Sequence, residues 1–195
     1  NYETSVKRGS MPAEDLPKRL ALIEPVLDFD AIKNVDMVIE AVYEEMNVKK
    51  AVFARLDEVM KPDAVLATNT STLDIDQIAG ATKRPESVIG THFFSPANVM
   101  KLLEIVRGKA TGKDIVATCT KLSRQLDKVG VVCGNCDGFL ANRSRGPFGT
   151  EMNILVEEGA TPQQVDRVMV EFGYPMGPFA VADLAGLDIS YAVRD

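Results

Sequence analysis

The chain has 195 residues, with 22 Lys and Arg against 28 Asp and Glu, a net charge of −6, 46% hydrophobic residues, 14 Gly and 10 Pro. This is the composition of a globular chain long enough for one sizeable core or two small ones. The acidic balance, with a pI near 4.9, argues against nucleic acid or an anionic membrane surface as partner, since neither would attract it. The longest run free of Asp, Glu, Lys and Arg is Ser87 to Met100, 14 residues, against the roughly 18 apolar residues that a spanning helix needs. No basic-then-apolar signal segment opens the chain, so it reads as intracellular.

The opening, Asn1 to Ile23, is charged and contains Pro12 and Pro17, so it predicts pieces of helix broken around Gly9-Ser10-Met11-Pro12. Val35 to Val42 is a strand, β-branched and largely apolar, as expected where both faces are buried. Asn47 to Met60 places Val48, Val52, Phe53, Leu56 and Met60 at helical spacing. Ala64 to Thr68 is a second strand, Ile75 to Ala81 a short helix, Val88 to Phe94 a third strand and Lys101 to Val106 a further one. A helix over Asp114 to Leu126 and a strand over Gly130 to Cys133 follow. Strands alternating with helices predict an α/β fold, a mainly parallel sheet with helices on both faces.

After Cys136 the character changes. Phe139 to Glu158, Pro162 to Phe172 and Pro178 to Asp195 all read as helices, with Thr161-Pro162-Gln163-Gln164 a good helix start. The domains are therefore 1–136, a mainly parallel α/β part, and 137–195, an all-helical segment. At 59 residues this segment is smaller than most independent helical domains, so it is expected to be completed by further chain or by a partner.

His92 is the only histidine, the residue type whose ordinary pKa suits proton transfer near neutrality, and it lies near the end of a predicted strand, where open α/β sheets gather ligands. A core histidine with no such role is the alternative. Thr68-Asn69-Thr70-Ser71-Thr72 closes the second strand with hydroxyls able to hold a substrate oxygen, or else to cap the next helix. Glu104 interrupts the apolar run Leu102 to Val106, so if buried it needs a partner, and His92 is an attractive one; an exposed edge strand is the alternative. Asn142 falls in the first turns of a helix for which Asp137 is a natural cap. The three cysteines, Cys119, Cys133 and Cys136, are no disulfide framework. Cys133-Gly134-Asn135-Cys136 has thioredoxin-like spacing, but two unremarkable thiols are the favoured reading, and one such pair with one His is too few for zinc, so no metal is expected. The Gly-x-Gly-x-x-Gly dinucleotide loop does not occur in the chain.

Val38-Ile39-Glu40-Ala41-Val42, Asn69-Thr70-Ser71, His92-Phe93-Phe94-Ser95-Pro96, Met100 to Val106, Gly138-Phe139 and Asn142-Arg143 together resemble the L-3-hydroxyacyl-CoA dehydrogenases. So do Tyr174 to Phe179 and Asp183 to Asp188. The wording of His92 to Met100 and Gly134 to Phe139 is closer to the dehydrogenase part of multifunctional fatty-acid oxidation enzymes than to the stand-alone mitochondrial type. The resemblance implies a Rossmann-type NAD domain and a helical domain that completes the site and dimerises, or a place in a larger multifunctional chain, acting on an acyl-CoA. It carries the catalytic His to His92, its carboxylate partner to Glu104, the substrate-contacting Ser to Ser71 and the Asn to Asn142. The nicotinamide-side contacts fall on Glu44, Lys49, Ser71 and Ser95.

The resemblance then implies that His92 takes the proton of a 3-hydroxyl as hydride leaves for NAD, while Glu104 steadies the imidazolium and Ser71 and Asn142 hold the oxygen. Two departures qualify this. The family begins with a strand, the Gly-rich loop and a helix that seat the pyrophosphate, and this chain starts after them, so as given it is expected to bind NAD poorly. After Asn142-Arg143 the family continues with apolar residues, whereas Ser144-Arg145-Gly146-Pro147 predicts an interrupted helix or a drifted copy. A non-catalytic copy serving as a structural or dimerising segment is the competing reading, and either would sit in the bacterial cytoplasm or a peroxisome.

Overall fold

The structure is a computed structural model that describes residues 2–185. Gly186, Leu187 and Asp188 of the resemblance, and the end of the last predicted helix, lie outside the described residues. Two short helices, α1 (Tyr2–Lys7) and α2 (Asp15–Leu20), open the chain on either side of the Gly9 to Pro12 break. Five strands then build one sheet in chain order: β1 (Met37–Glu40), β2 (Val65–Thr68), β3 (Val88–Phe93), β4 (Leu102–Arg107) and β5 (Val129–Gly134). Neighbours run parallel except β3 and β4, which are antiparallel.

The central strands are apolar throughout because both faces are covered. Leu66, Val88 and Val106 point to one face, where α3 (Met46–Val59) brings Phe53 and Leu56 and α4 (Ile75–Ala79) brings Ile75 and Ile78. Val65, Ala67, Ile89, Leu103 and Ile105 point to the other, against Ile115 and Cys119 of α5 (Lys113–Gln125). Each fully buried Leu, Ile or Phe contributes roughly 1.5–3 kcal/mol.

The reversal at β4 follows from chain length. Residues 94–101 are all that join β3 to β4, and a parallel return needs about a dozen residues or more. In the resulting register His92 lies directly opposite Glu104. β4 is thus an interior strand and Glu104 is fully buried, which overturns the exposed-edge alternative; β1 and β5 are the edges among the described residues.

Beyond the sheet come α6 (Ala141–Glu157), α7 (Pro162–Phe172) and α8 (Pro178–Ala185). Thr161 and Gln164 form a reciprocal capping box at the start of α7, and the Asp166 carboxylate accepts from the Phe179 and Ala180 N–H groups at the start of α8. The helix expected to break at Ser144 to Pro147 does not: α6 runs through Pro147, whose missing N–H removes only one rung of the ladder. The described part of α6 has no buried residue, and Leu155, Val168, Phe172 and Leu184 stand exposed. No helix among the described residues is long and apolar enough to cross a membrane.

Candidate functional site

The site is built where β3 meets β4. His92 is 6% exposed and Glu104 0%, and Nδ1 of the imidazole lies 2.7 Å from Glu104 Oε2. With Glu104 as a carboxylate the hydrogen of this bond belongs to Nδ1, and in the neutral imidazole Nε2 keeps its lone pair. Phe94 and Phe139 flank the ring, with centroids 4.3 and 6.0 Å away. The apolar walls keep the imidazole from rotating out of this pairing.

The second oxygen of Glu104 is equally committed. Oε1 accepts from the backbone N–H groups of Leu140 at 3.0 Å and Ala141 at 2.7 Å, the first turn of α6. These are among the four donors that a helix N-terminus leaves without intrahelical partners. The cap of α6 thus comes from a distant strand, whereas Asp137, expected in that role from the sequence, does not supply it: the N-cap is Leu140, with no side-chain cap bond. The turn into the helix is tight. Gly138 has φ +66° and Phe139 φ +48°, the latter an uncommon conformation for an aromatic residue and a local store of strain beside the site. A Cβ on residue 138 would lie 2.8 Å from the Arg143 nitrogen. Gly138→Ala is expected to cost more than about 1 kcal/mol in stability and to loosen the start of α6, as thermal unfolding will report.

Asn142, in the first turn of α6, donates through Nδ2 to the Ser71 carbonyl at 3.4 Å, so the segment after β2 and the helix meet. Asn69 Oδ1 accepts from the Phe93 N–H at 2.8 Å and ties the ends of β2 and β3 together. Thr70 accepts from the Leu73 N–H, but the side chain that caps α4 is Asp74, so the hydroxyl cluster is left to other partners. Ser71 turns to Glu44: Oε1 of Glu44 accepts from Thr70 Oγ1 at 2.6 Å, Ser71 N at 2.8 Å and Ser71 Oγ at 3.2 Å. Burial pushes the Glu44 carboxyl up, but the bonds from Thr70 and Ser71 and the Lys49 ammonium outweigh it and hold it below its ordinary value.

Lys49 is 1% exposed, with Nζ 2.8 Å from Glu40 Oε1, 3.2 Å from Glu44 Oε2 and 3.4 Å from the Val42 carbonyl. Sequence reasoning did not single out Glu40, which also accepts from Thr68 Oγ1 and the Val42 N–H. A carboxylate ending an apolar strand was the available signal, the same one that drew attention to Glu104. Ser95 lies exposed on the loop after β3.

At Cys133 the environment runs against a thioredoxin-like role for the Cys133-Gly134-Asn135-Cys136 pair. Burial, then the Glu104 charge, then Cys136 push the Cys133 thiol up to about 11, and burial alone does the same to Cys119. A reactive thiol needs the opposite shift. Both are expected to alkylate about a hundredfold more slowly than a thiol of ordinary pKa at neutral pH, as mass spectrometry will show. Among the described residues no cluster of His, Cys, Asp or Glu is fit to hold a metal.

Two family models match the chain: the 3-hydroxyacyl-CoA dehydrogenase NAD binding domain over residues 1–136 and the 3-hydroxyacyl-CoA dehydrogenase C-terminal domain over 138–195. This chain belongs to the 3-hydroxyacyl-CoA dehydrogenase family. It is similar to the peroxisomal bifunctional enzyme of Homo sapiens, 55% identical over 82% of this chain and 22% of that protein. It is also similar to a peroxisomal fatty acid beta-oxidation multifunctional protein of Oryza sativa subsp. japonica, 43% identical over 100% of this chain and 27% of that protein. The chain thus spans about a quarter of the length of these curated relatives. Among solved structures, the 3-hydroxybutyryl-CoA dehydrogenase of Escherichia coli K12 superposes with a TM-score of 0.90 at 41% identity, over 98% of this chain and 41% of that one. The (S)-3-hydroxybutyryl-CoA dehydrogenase of Ralstonia eutropha gives 0.91 at 34% identity, over 98% and 69%. The family is one of oxidoreductases, and the cofactor of its N-terminal domain is NAD. The groups at the ends of β1 and β2 fit such a cofactor: a carboxylate and a serine hydroxyl at the opening suit a cationic ring and a hydroxyl-bearing ribose.

Proposed function

We propose that this chain carries the catalytic groups of an NAD-dependent dehydrogenase that oxidises (S)-3-hydroxyacyl-CoA to 3-ketoacyl-CoA in fatty-acid β-oxidation. The observation that supports this most is the buried pair of His92 and Glu104, with Ser71 and Asn142 joined at its flank. His92 Nε2 takes the proton of the 3-hydroxyl, and the Glu104 carboxylate stabilises the imidazolium that forms. Ser71 Oγ and Asn142 Nδ2 hold the oxygen as it becomes a ketone. Bound NAD supplies the hydride acceptor. Glu44, Lys49, Ser71 and Ser95 are assigned to the nicotinamide side.

On this reading residues 1–136 are the dinucleotide-binding part and 137–195 the start of the helical part. The exposed apolar side chains of α6 to α8 suit a second copy or a further part of a multifunctional chain. Peroxisomal relatives favour a peroxisome over the bacterial cytoplasm.

NADH titration followed by fluorescence tests the reading on two forms, this chain and the same chain joined at its N-terminus to a strand and Gly-rich loop. The extended form is expected to bind and to reduce acetoacetyl-CoA. Failure of the extended form to bind would favour a non-catalytic structural role.

A further inference from the structure

The ends of β1 and β2 hold three charged side chains whose charges do not cancel. One ammonium, Lys49, lies between two carboxylates, Glu40 and Glu44. Lys49 and Glu40 side chains are each 1% exposed, and Glu44 is 38% exposed. A buried excess charge is costly unless it is hydrogen-bonded and matched by something outside. Thr68 and the Val42 N–H serve Glu40, and Thr70 and Ser71 serve Glu44; these bonds spread the negative charge without removing it. Lys49 Nζ donates to Glu40 and to the Val42 carbonyl and lies 3.2 Å from Glu44 Oε2, so one ammonium serves both carboxylates.

The cluster opens only through Glu44, at the carboxyl ends of the strands, where ligands of open α/β sheets collect. Glu44 binds Ser71, and Ser71 binds Asn142, so the opening faces the groups beside His92. A nicotinamide ring that exchanges hydride with a carbon held against His92 must lie in van der Waals reach of that carbon, and therefore next to this opening. The oxidised ring carries a positive charge and the reduced ring carries none.

We infer that Glu40 is a positioning residue that shifts the site toward oxidised relative to reduced nicotinamide: with Glu40 balancing Lys49, the cluster keeps one net negative charge, which Glu44 presents at the opening. The inference rests on the reading above that the site binds NAD. Glu40 does not itself reach the ring.

The test is calorimetric titration with NAD and, separately, with NADH, on the N-terminally extended dehydrogenase and its Glu40→Gln and Glu40→Asp variants. Glu40→Gln is expected to weaken NAD relative to NADH by about tenfold, the size of one unit charge several ångströms away in a partly buried site. Glu40→Asp keeps the charge and is expected to keep the ratio. An equal loss for both forms in the two variants marks a merely structural residue and overturns the inference. If Glu40→Gln does not fold, Glu44→Gln must move the ratio in the same direction, and an unchanged ratio there overturns it too. Binding of neither form by the unaltered dehydrogenase would bring down the NAD reading itself.

Discussion

In the N-terminally extended dehydrogenase, His92→Ala is expected to lower kcat for acetoacetyl-CoA reduction by about 10²- to 10⁴-fold with KM nearly unchanged, and to lower thermal stability because the buried Glu104 Oε2 loses its partner. The chain has no second histidine to substitute for the first. The imidazole is fixed from three sides, by Glu104 at Nδ1 and by the rings of Phe94 and Phe139. Its removal therefore takes away a proton donor and acceptor already aligned, and leaves a small cavity that water can enter. Steady-state loss of NADH absorbance measures the effect, and equal activity with and without His92 would end the catalytic reading. Because the proton passes through the same nitrogen in both directions, oxidation of the 3-hydroxyacyl substrate should fall by a similar factor.

Glu104→Gln is expected to cost as much, on the order of 10³- to 10⁴-fold in kcat, and for a reason that the geometry makes specific. The carboxylate accepts on both oxygens: from His92 at Oε2 and from two backbone N–H groups of α6 at Oε1. An amide has only one acceptor oxygen. Facing the helix, that oxygen keeps the cap and turns its NH₂ to His92, which forces the imidazole into the tautomer with hydrogen on Nε2, unable to accept the substrate proton. Facing His92 instead, it points its NH₂ at two N–H donors, which is repulsive. The first orientation wins because it satisfies more groups, so the variant should fold well and turn over poorly. Glu104→Ala is expected to lose activity and stability together. It strips the cap from α6 and leaves two donors unpaired in a buried place, at about 1–3 kcal/mol each where water does not replace the carboxylate. Comparing kcat and melting temperature across the two variants separates the roles.

Much of this architecture is legible in the chain. Runs such as Val65 to Thr68 and Val88 to Phe93 announce strands because a strand buried on both faces has no polar side to conceal it. The reasoning that a carboxylate among Leu103, Ile105 and Val106 requires a partner led to His92, and the two stand 2.7 Å apart. The direction of β4 is carried by loop length, not by periodicity, so strand patterns alone do not disclose it. Asp137 has the residue type of a helix cap but not the position, because the donors at the start of α6 turn toward the sheet. Main-chain donors have no side-chain signature, and the link from Leu140 and Ala141 to Glu104 is therefore invisible in sequence. Glu40 escaped notice for a related reason: nothing in the strand it ends discloses that Lys49, nine residues on, pairs with it.

That main-chain link also bears on how such a protein can change over generations. Because Leu140 and Ala141 hold Glu104 through the peptide backbone, mutation of their side chains leaves the donors in place. Downstream, Ser144, Arg145 and Gly146 stand exposed while the helix persists. Inheritance can rewrite the surface of α6, and with it whatever that surface meets, without touching the alignment of the base. The cost of this freedom is concentrated at Gly138, where the turn admits no side chain.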